Sequence, residues 1–113
     1  QSYYEAARSM DLMTAPVCFN GHSHIPLTFM KSTTLSHSQS VKFTVPKDTT
    51  ALINVGSVGQ PRDEDPRCAF GVYDSKDRSF MLHRAEYDIR GAAAKIRRAG
   101  LPVVLAERLL HGQ

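Results

Sequence analysis

The sequence predicts a mixed α/β fold, and three observations carry the prediction. Ser2-Tyr3-Tyr4-Glu5 is a capping box, in which the serine hydroxyl and the glutamate carboxylate satisfy each other's backbone donors at the start of a helix. The middle of the chain holds short β-prone runs, one of which, Val41-Lys42-Phe43-Thr44-Val45, alternates apolar and polar residues with the period of a half-buried strand. The end carries two helical patterns separated by Gly100-Leu101-Pro102. No repeat or linker divides the 113 residues, so 1–113 reads as one domain unit, able to bury roughly two-thirds of its unfolded surface.

Composition narrows the class. Hydrophobic residues make up 42% and charged residues 22%, the balance of a globular, soluble chain rather than a disordered one. No apolar run approaches the ~20 residues of a membrane span, and Gln1-Ser2-Tyr3-Tyr4 has neither the basic region nor the apolar core of a signal peptide. Both point to the cytosol and away from a membrane. Cys18 and Cys68 stand apart without a Cys-x-x-Cys pattern, so two reduced, mostly buried thiols are expected. The net charge of +3 comes from 88–113, where Arg90, Lys95, Arg97, Arg98 and Arg108 outnumber Asp88 and Glu107. A basic tail suits nucleic acid or an anionic partner, but five charges on two short helices are more simply a solvated face.

Element by element, Tyr3, Ala6, Ala7, Met10 and Met13 form a stripe at helical spacing, closed by Pro16. Val17-Cys18-Phe19 reads as the end of a buried strand, which Asn20-Gly21 turns sharply out of the sheet. Leu27 to Met30 and Val41 to Val45 should pair as a hairpin across a long Ser/Thr-rich connection, Lys31 to Ser40, in which His37 is exposed. Ala51 to Val55 is the next strand. Ala69 to Tyr73 and Ser79 to Tyr87 form a second hairpin around Asp74-Ser75-Lys76-Asp77, with His83 inside it as a packing residue. Asp88 caps a helix with Ile89, Ala92, Ala93, Ile96 and Ala99 on one face, stopped by Gly100. Pro102 starts another, with Leu105 and Leu109 inward and Gly112 at its end.

Two stretches carry chemistry. His22 and His24, one residue apart on a bent loop at a strand's exit, can reach one metal ion or two adjacent ones through neutral imidazole. The same pair also fits a polar surface turn. A structural zinc that adds Cys18 is disfavoured, because Cys18 falls in the apolar strand and no fourth ligand stands nearby. The second stretch, Gly56-Ser57-Val58-Gly59-Gln60-Pro61-Arg62, follows a strand, and two glycines three apart either make an ordinary turn or aim backbone amides at an anion. Arg62 either grips a phosphate or is engaged by Asp63, Glu64 and Asp65 beside it.

Asn20-Gly21-His22-Ser23-His24-Ile25-Pro26 resembles the Gly-His-x-His motif that closes the metal site of the calcineurin-like metallophosphoesterases. Ile53 to Arg62 resembles the Asn-Pro-Gly-Ser-Val-Gly-Gln-Pro-Arg stretch of that family's bacterial and archaeal phosphodiesterase-like branch. The strand ending in Tyr87-Asp88 and the closing helices with Gly100-Leu101-Pro102 extend the likeness over nearly all of the chain. Val55 stands where proline is usual, and Asn20 where the branch often has an apolar residue.

The resemblance implies the C-terminal half of a four-layer α/β/β/α sandwich. It further implies two divalent metals, commonly manganese, iron, zinc or nickel, bridged by an aspartate and a hydroxide that attacks a phosphoester in line. His22 would ligate the second metal and His24 the first, with Asn54, Gly56, Ser57 and Arg62 on the phosphate-side loop. The family's Asp-x-His, Gly-Asp and Gly-Asn-His motifs all precede Gly-His-x-His, and nothing in Gln1 to Phe19 stands for them. No catalytic group beyond the metal ligands is therefore assigned. The expected partners are a phosphomono- or phosphodiester and the missing N-terminal half of the domain, with metal held weakly or not at all by this chain alone. Strands 17–19 and 51–55 should lose their neighbours, which predicts self-association. The alternative is a truncated, non-catalytic module that binds a partner or nucleic acid through its basic C-terminal helices.

Overall fold

The computed structural model describes residues 2–113; Gln1, inside the predicted domain, lies outside the described residues. The capping box forms as predicted, Ser2 and Glu5 bonding reciprocally at the head of α1 (Tyr3–Asp11). Strands β1 (Val17–Asn20), β2 (Leu27–Lys31), β3 (Leu35–Ser38), β4 (Lys42–Thr44), β5 (Thr50–Asn54), β6 (Cys68–Asp74) and β7 (Ser79–Ala85) follow, then α2 (Ile89–Arg98) and α3 (Val103–His111). Asp88 caps α2 by accepting from the Gly91 N–H, and Gly112 ends α3 in the left-handed conformation that glycine adopts without strain.

Two sheets result, one ordered β1-β5-β2-β3 and the other β4-β7-β6. β5 is the centre of the first: it pairs parallel with β1 and antiparallel with β2. Its alternate residues serve two cores. Leu52 joins Ala6, Met10 and Phe29 under α1, while Ala51 and Ile53 join Val45 and Phe80 between the sheets. The stack is thus α1, four-stranded sheet, three-stranded sheet: a mixed α/β fold consistent with half of the expected sandwich. α2 and α3 pack chiefly on each other. Their hairpin makes the molecule elongated, 50 × 28 × 20 Å, with a radius of gyration of 16.2 Å against the about 13 Å of a spherical domain of this size.

Three expectations need correction. The hairpin partner of β2 is β3, paired from Thr28↔Ser38 to Lys31↔Leu35, and β4 belongs instead to the other sheet beside β7. Leu35-Ser36-His37-Ser38 escapes a periodicity test because a short edge strand with one apolar residue needs no buried face. β1 is not buried but a sheet edge, with Phe19 48% exposed and the Cys18 thiol at the surface. Of the two strands expected to lose neighbours, only β1 stands at an edge, since β5 is flanked on both sides.

Candidate metal centre

β1 and β5 run parallel and end side by side, Asn20 opposite Asn54, so the loops that leave them begin as neighbours. Asn54, only 5% exposed, ties those loops together. Its Nδ2 donates to the Gly21 carbonyl at 3.0 Å and to Ser23 Oγ at 2.8 Å, while its Oδ1 accepts from the Gly56 N–H at 2.9 Å. A buried amide is thereby satisfied at both ends. Gly56 must be glycine twice over: its φ is +82°, and a Cβ would lie 2.9 Å from Pro26 Cγ. The second loop also grips the first further on, where the Arg62 N–H donates to the His24 carbonyl at 3.2 Å.

Held in this clamp, His22 and His24 both adopt left-handed backbone, φ +80° and +61°. Such conformations cost about 1–3 kcal/mol each for a residue with a side chain and persist only where the surroundings impose them. His24 Nδ1 lies 2.9 Å from the Gln60 carbonyl oxygen. A carbonyl only accepts, so Nδ1 carries the proton and the lone pair sits on Nε2, the arrangement by which metal-binding histidines are oriented. His22 is exposed and borders a cleft of about 520 Å³ together with Glu5, Asn20, Gly21 and Ser23.

The donor set fits part of a metal site. Glu5 is a carboxylate lining the same cleft as His22, where sequence spacing did not bring it, but one of its oxygens, Oε2, accepts from both the Ser2 N–H at 3.0 Å and the Ser2 hydroxyl at 3.3 Å. Those bonds hold its carboxyl below the usual carboxylate range, the backbone donor most of all. No cluster of three or more His, Cys, Asp or Glu able to hold an ion occurs among the described residues. Two imidazoles suit manganese, iron, zinc or nickel as a portion of a larger shell.

The loop from Gly56 to Arg62 divides its polar groups between itself and its neighbours. Ser57 Oγ accepts from the Gln60 N–H at 2.9 Å, its carbonyl accepts from the Ala69 N–H at 2.9 Å, and the Gly56 amide is already bonded to Asn54. Arg62 is half-buried and donates from Nη2 to Gln60 Oε1 at 2.7 Å. The acids beside it are engaged elsewhere: Asp63 pairs with Arg84, and Asp65 takes Arg67 in a two-bond grip at 2.8 and 3.1 Å. Among the described residues no carboxylate forms an ion pair with Arg62. Sequence reasoning missed Ser23 and Gln60. The only signal for Ser23 is its place between two histidines, and Gln60 acts through a backbone oxygen that no residue type announces.

No family model matches the chain. Over 95 residues it is 41% identical to an uncharacterized protein of Methanocaldococcus jannaschii, a match covering 84% of this chain and 39% of that protein. The crystal structure of a metallophosphoesterase from Sphaerobacter thermophilus superposes with a TM-score of 0.84 at 34% identity, over 96% of this chain and 47% of that one. The fold is therefore that of part of a metallophosphoesterase, and the chain spans less than half the length of either relative. Among the described residues no helix is long and apolar enough to cross a membrane.

Proposed function

We propose that this chain supplies His22 and His24 as the last two metal ligands of a phosphoesterase of the bacterial and archaeal phosphodiesterase-like branch, acting in the cytosol on phosphomono- or phosphodiesters. The remaining ligands, a bridging carboxylate among them, come from a further, N-terminal segment of the same domain. The observation that carries the reading is the His24 Nδ1 contact with the Gln60 carbonyl at 2.9 Å, which frees Nε2 on a loop already bent into left-handed backbone. When bound, two divalent ions, manganese, iron, zinc or nickel, would supply an activated water and neutralise phosphate charge. The chain's own part is to hold the imidazoles in place and to offer Arg62, whose guanidinium is not spent on a carboxylate, to a phosphate oxygen.

Titration of Zn²⁺ or Mn²⁺ followed through the histidine ring resonances tests this directly. His22 and His24 should respond first, and His24→Ala should abolish the response; tight binding that survives the substitution overturns the assignment. Bis-p-nitrophenyl phosphate should be hydrolysed by the whole protein and not by residues 1–113 alone, with Arg62→Ala acting mainly on KM. The bare edge of β1 should make residues 1–113 self-associate, which equilibrium sedimentation reads.

One observation favours a second reading. The α2–α3 hairpin leaves Leu101, Val103 and Val104 half exposed, at 50%, 55% and 56%, on the segment that carries the chain's excess positive charge. A non-catalytic module that docks an anionic partner or nucleic acid there would keep its binding after His24→Ala.

A further inference from the structure

We propose that Asn54 is the positioning residue of this metal site: by holding the loop from Gly21 to Ser23, it sets the backbone from which His22 and His24 project and the tautomer that His24 presents. The proposal rests on His22 and His24 being ligands, and its test below separates the two ideas. Asn54 ends β5, the strand flanked by neighbours on both sides and covered on both faces, so its side chain is anchored in the best-supported part of the chain. At 5% exposure it is too deep to meet a ligand itself and can act only through what it bonds.

The chemistry of the position admits few substitutes. The Gly21 carbonyl calls for a donor, which Ser23 Oγ also accepts, while the Gly56 N–H calls for an acceptor, and a carboxamide carries both kinds in one plane. Aspartate keeps the bond from Gly56 but sets an acceptor against the Gly21 carbonyl, and an apolar residue satisfies none of the three. The two contacts to Asn54 Nδ2 bracket His22 in the chain, whereas the Gln60 carbonyl and the Arg62 N–H hold His24. Release of the first grip lets the left-handed turn at His22 relax, and relaxation moves His24 off Gln60. The imidazole then loses the bond that fixes its proton on Nδ1.

The test uses the full-length protein with ¹⁵N-labelled histidine. In the metal-free state at alkaline pH, ring ¹⁵N–¹H couplings should show His24 as the Nδ1–H tautomer in the wild type and a tautomer mixture in Asn54→Asp. Zn²⁺ affinity, read by chelator competition, should fall roughly 10–100-fold in Asn54→Asp, with Ser23→Ala between it and the wild type. A wild-type tautomer together with unchanged Zn²⁺ affinity in a folded Asn54→Asp variant overturns the proposal. Should that variant not fold, Ser23→Ala decides instead, and an unchanged tautomer and affinity there overturn it equally. If Zn²⁺ leaves the wild-type rings untouched, the ligand assignment fails, while the tautomer comparison still decides whether Asn54 positions His24.

Discussion

β5 and β6 are both apolar strands, yet the molecule uses them in opposite ways. In β5 the four residues Ala51, Leu52, Ile53 and Asn54 are all buried, because the strand has a sheet neighbour on each side and a layer on each face. In β6 Phe70 and Val72 face water, at 41% and 54% exposure, while Ala69, Gly71 and Tyr73 lie on the face toward the other sheet, where Tyr73 packs on Phe19. The glycine at position 71 has a steric cause. The Phe80 ring fills the space beside Gly71, and a Cβ there would lie 2.4 Å from Phe80 Cε2. Phe70 is left to stack on His83 across the outer face, the ring centroids 5.3 Å apart. Apolar character alone thus marks a strand with two faces, and the space that neighbouring rings leave decides which side chain fits at each inner position.

Phe80 is where that comparison breaks most severely. It is 3% exposed and touches Phe43 and Phe19 as well as lying over Gly71, so Phe80→Ala removes a ring that nothing nearby can replace. A loss of about 3–5 kcal/mol in urea unfolding is expected. The next residue in the same strand points the other way, and Met81→Ala, at 41% exposure, should shift stability by no more than about 0.5 kcal/mol. Equal losses at the two positions would mean that the outer face is covered in solution. Gly71→Ala comes next in size. It should cost about 1–3 kcal/mol through overpacking, and combination with Phe80→Leu should recover part of that loss, because the two sites share one space.

Much of this was legible beforehand because local chemistry and tertiary placement agree. The Ser2 and Asp88 caps, the left-handed Gly112, the β6–β7 hairpin and the Ala51-Leu52-Ile53 strand are each dictated by a few neighbouring residues. The misreadings concern partners. Val41 to Val45 shows a strand period, but period is silent about which sheet receives it, and only the inward Phe43 and Val45 packing on Phe80 sends it to the second. At the site, the histidine spacing and the glycine loop could be seen, whereas their joining could not. Asn54 looks like the polar end of a strand, and its three bonds exist only because β1 and β5 end in register. Likewise the carboxylates near Arg62 offer a local partner in sequence, and the structure gives Asp63 and Asp65 to Arg84 and Arg67 instead.

The smallest effect is expected where the connection from β5 to β6 meets the helical hairpin. The Glu64 N–H donates to the Gly112 carbonyl at 2.9 Å, and a Cβ at Gly112 would lie 2.8 Å from the Asp65 backbone, so the end of α3 rests directly on this loop. Asp65 holds the loop's shape through Arg67. The hydrogen bonds from Arg67 are the main cause of a carboxyl pKa lowered to about 2, with the nearby Arg84 charge adding to it. The unfolded chain titrates this group near ~3.9, so the folded state binds its proton less readily. The associated stability is then complete above about pH 4 and is lost as the pH falls toward 2. Both side chains are partly in water, which keeps the contribution small and sensitive to salt. Urea midpoints measured between pH 5 and pH 2 should therefore fall less steeply in Asp65→Asn than in the wild type, and the gap between the two curves should narrow at high ionic strength. Parallel curves would mean that the Arg67 grip exists without coupling to folding.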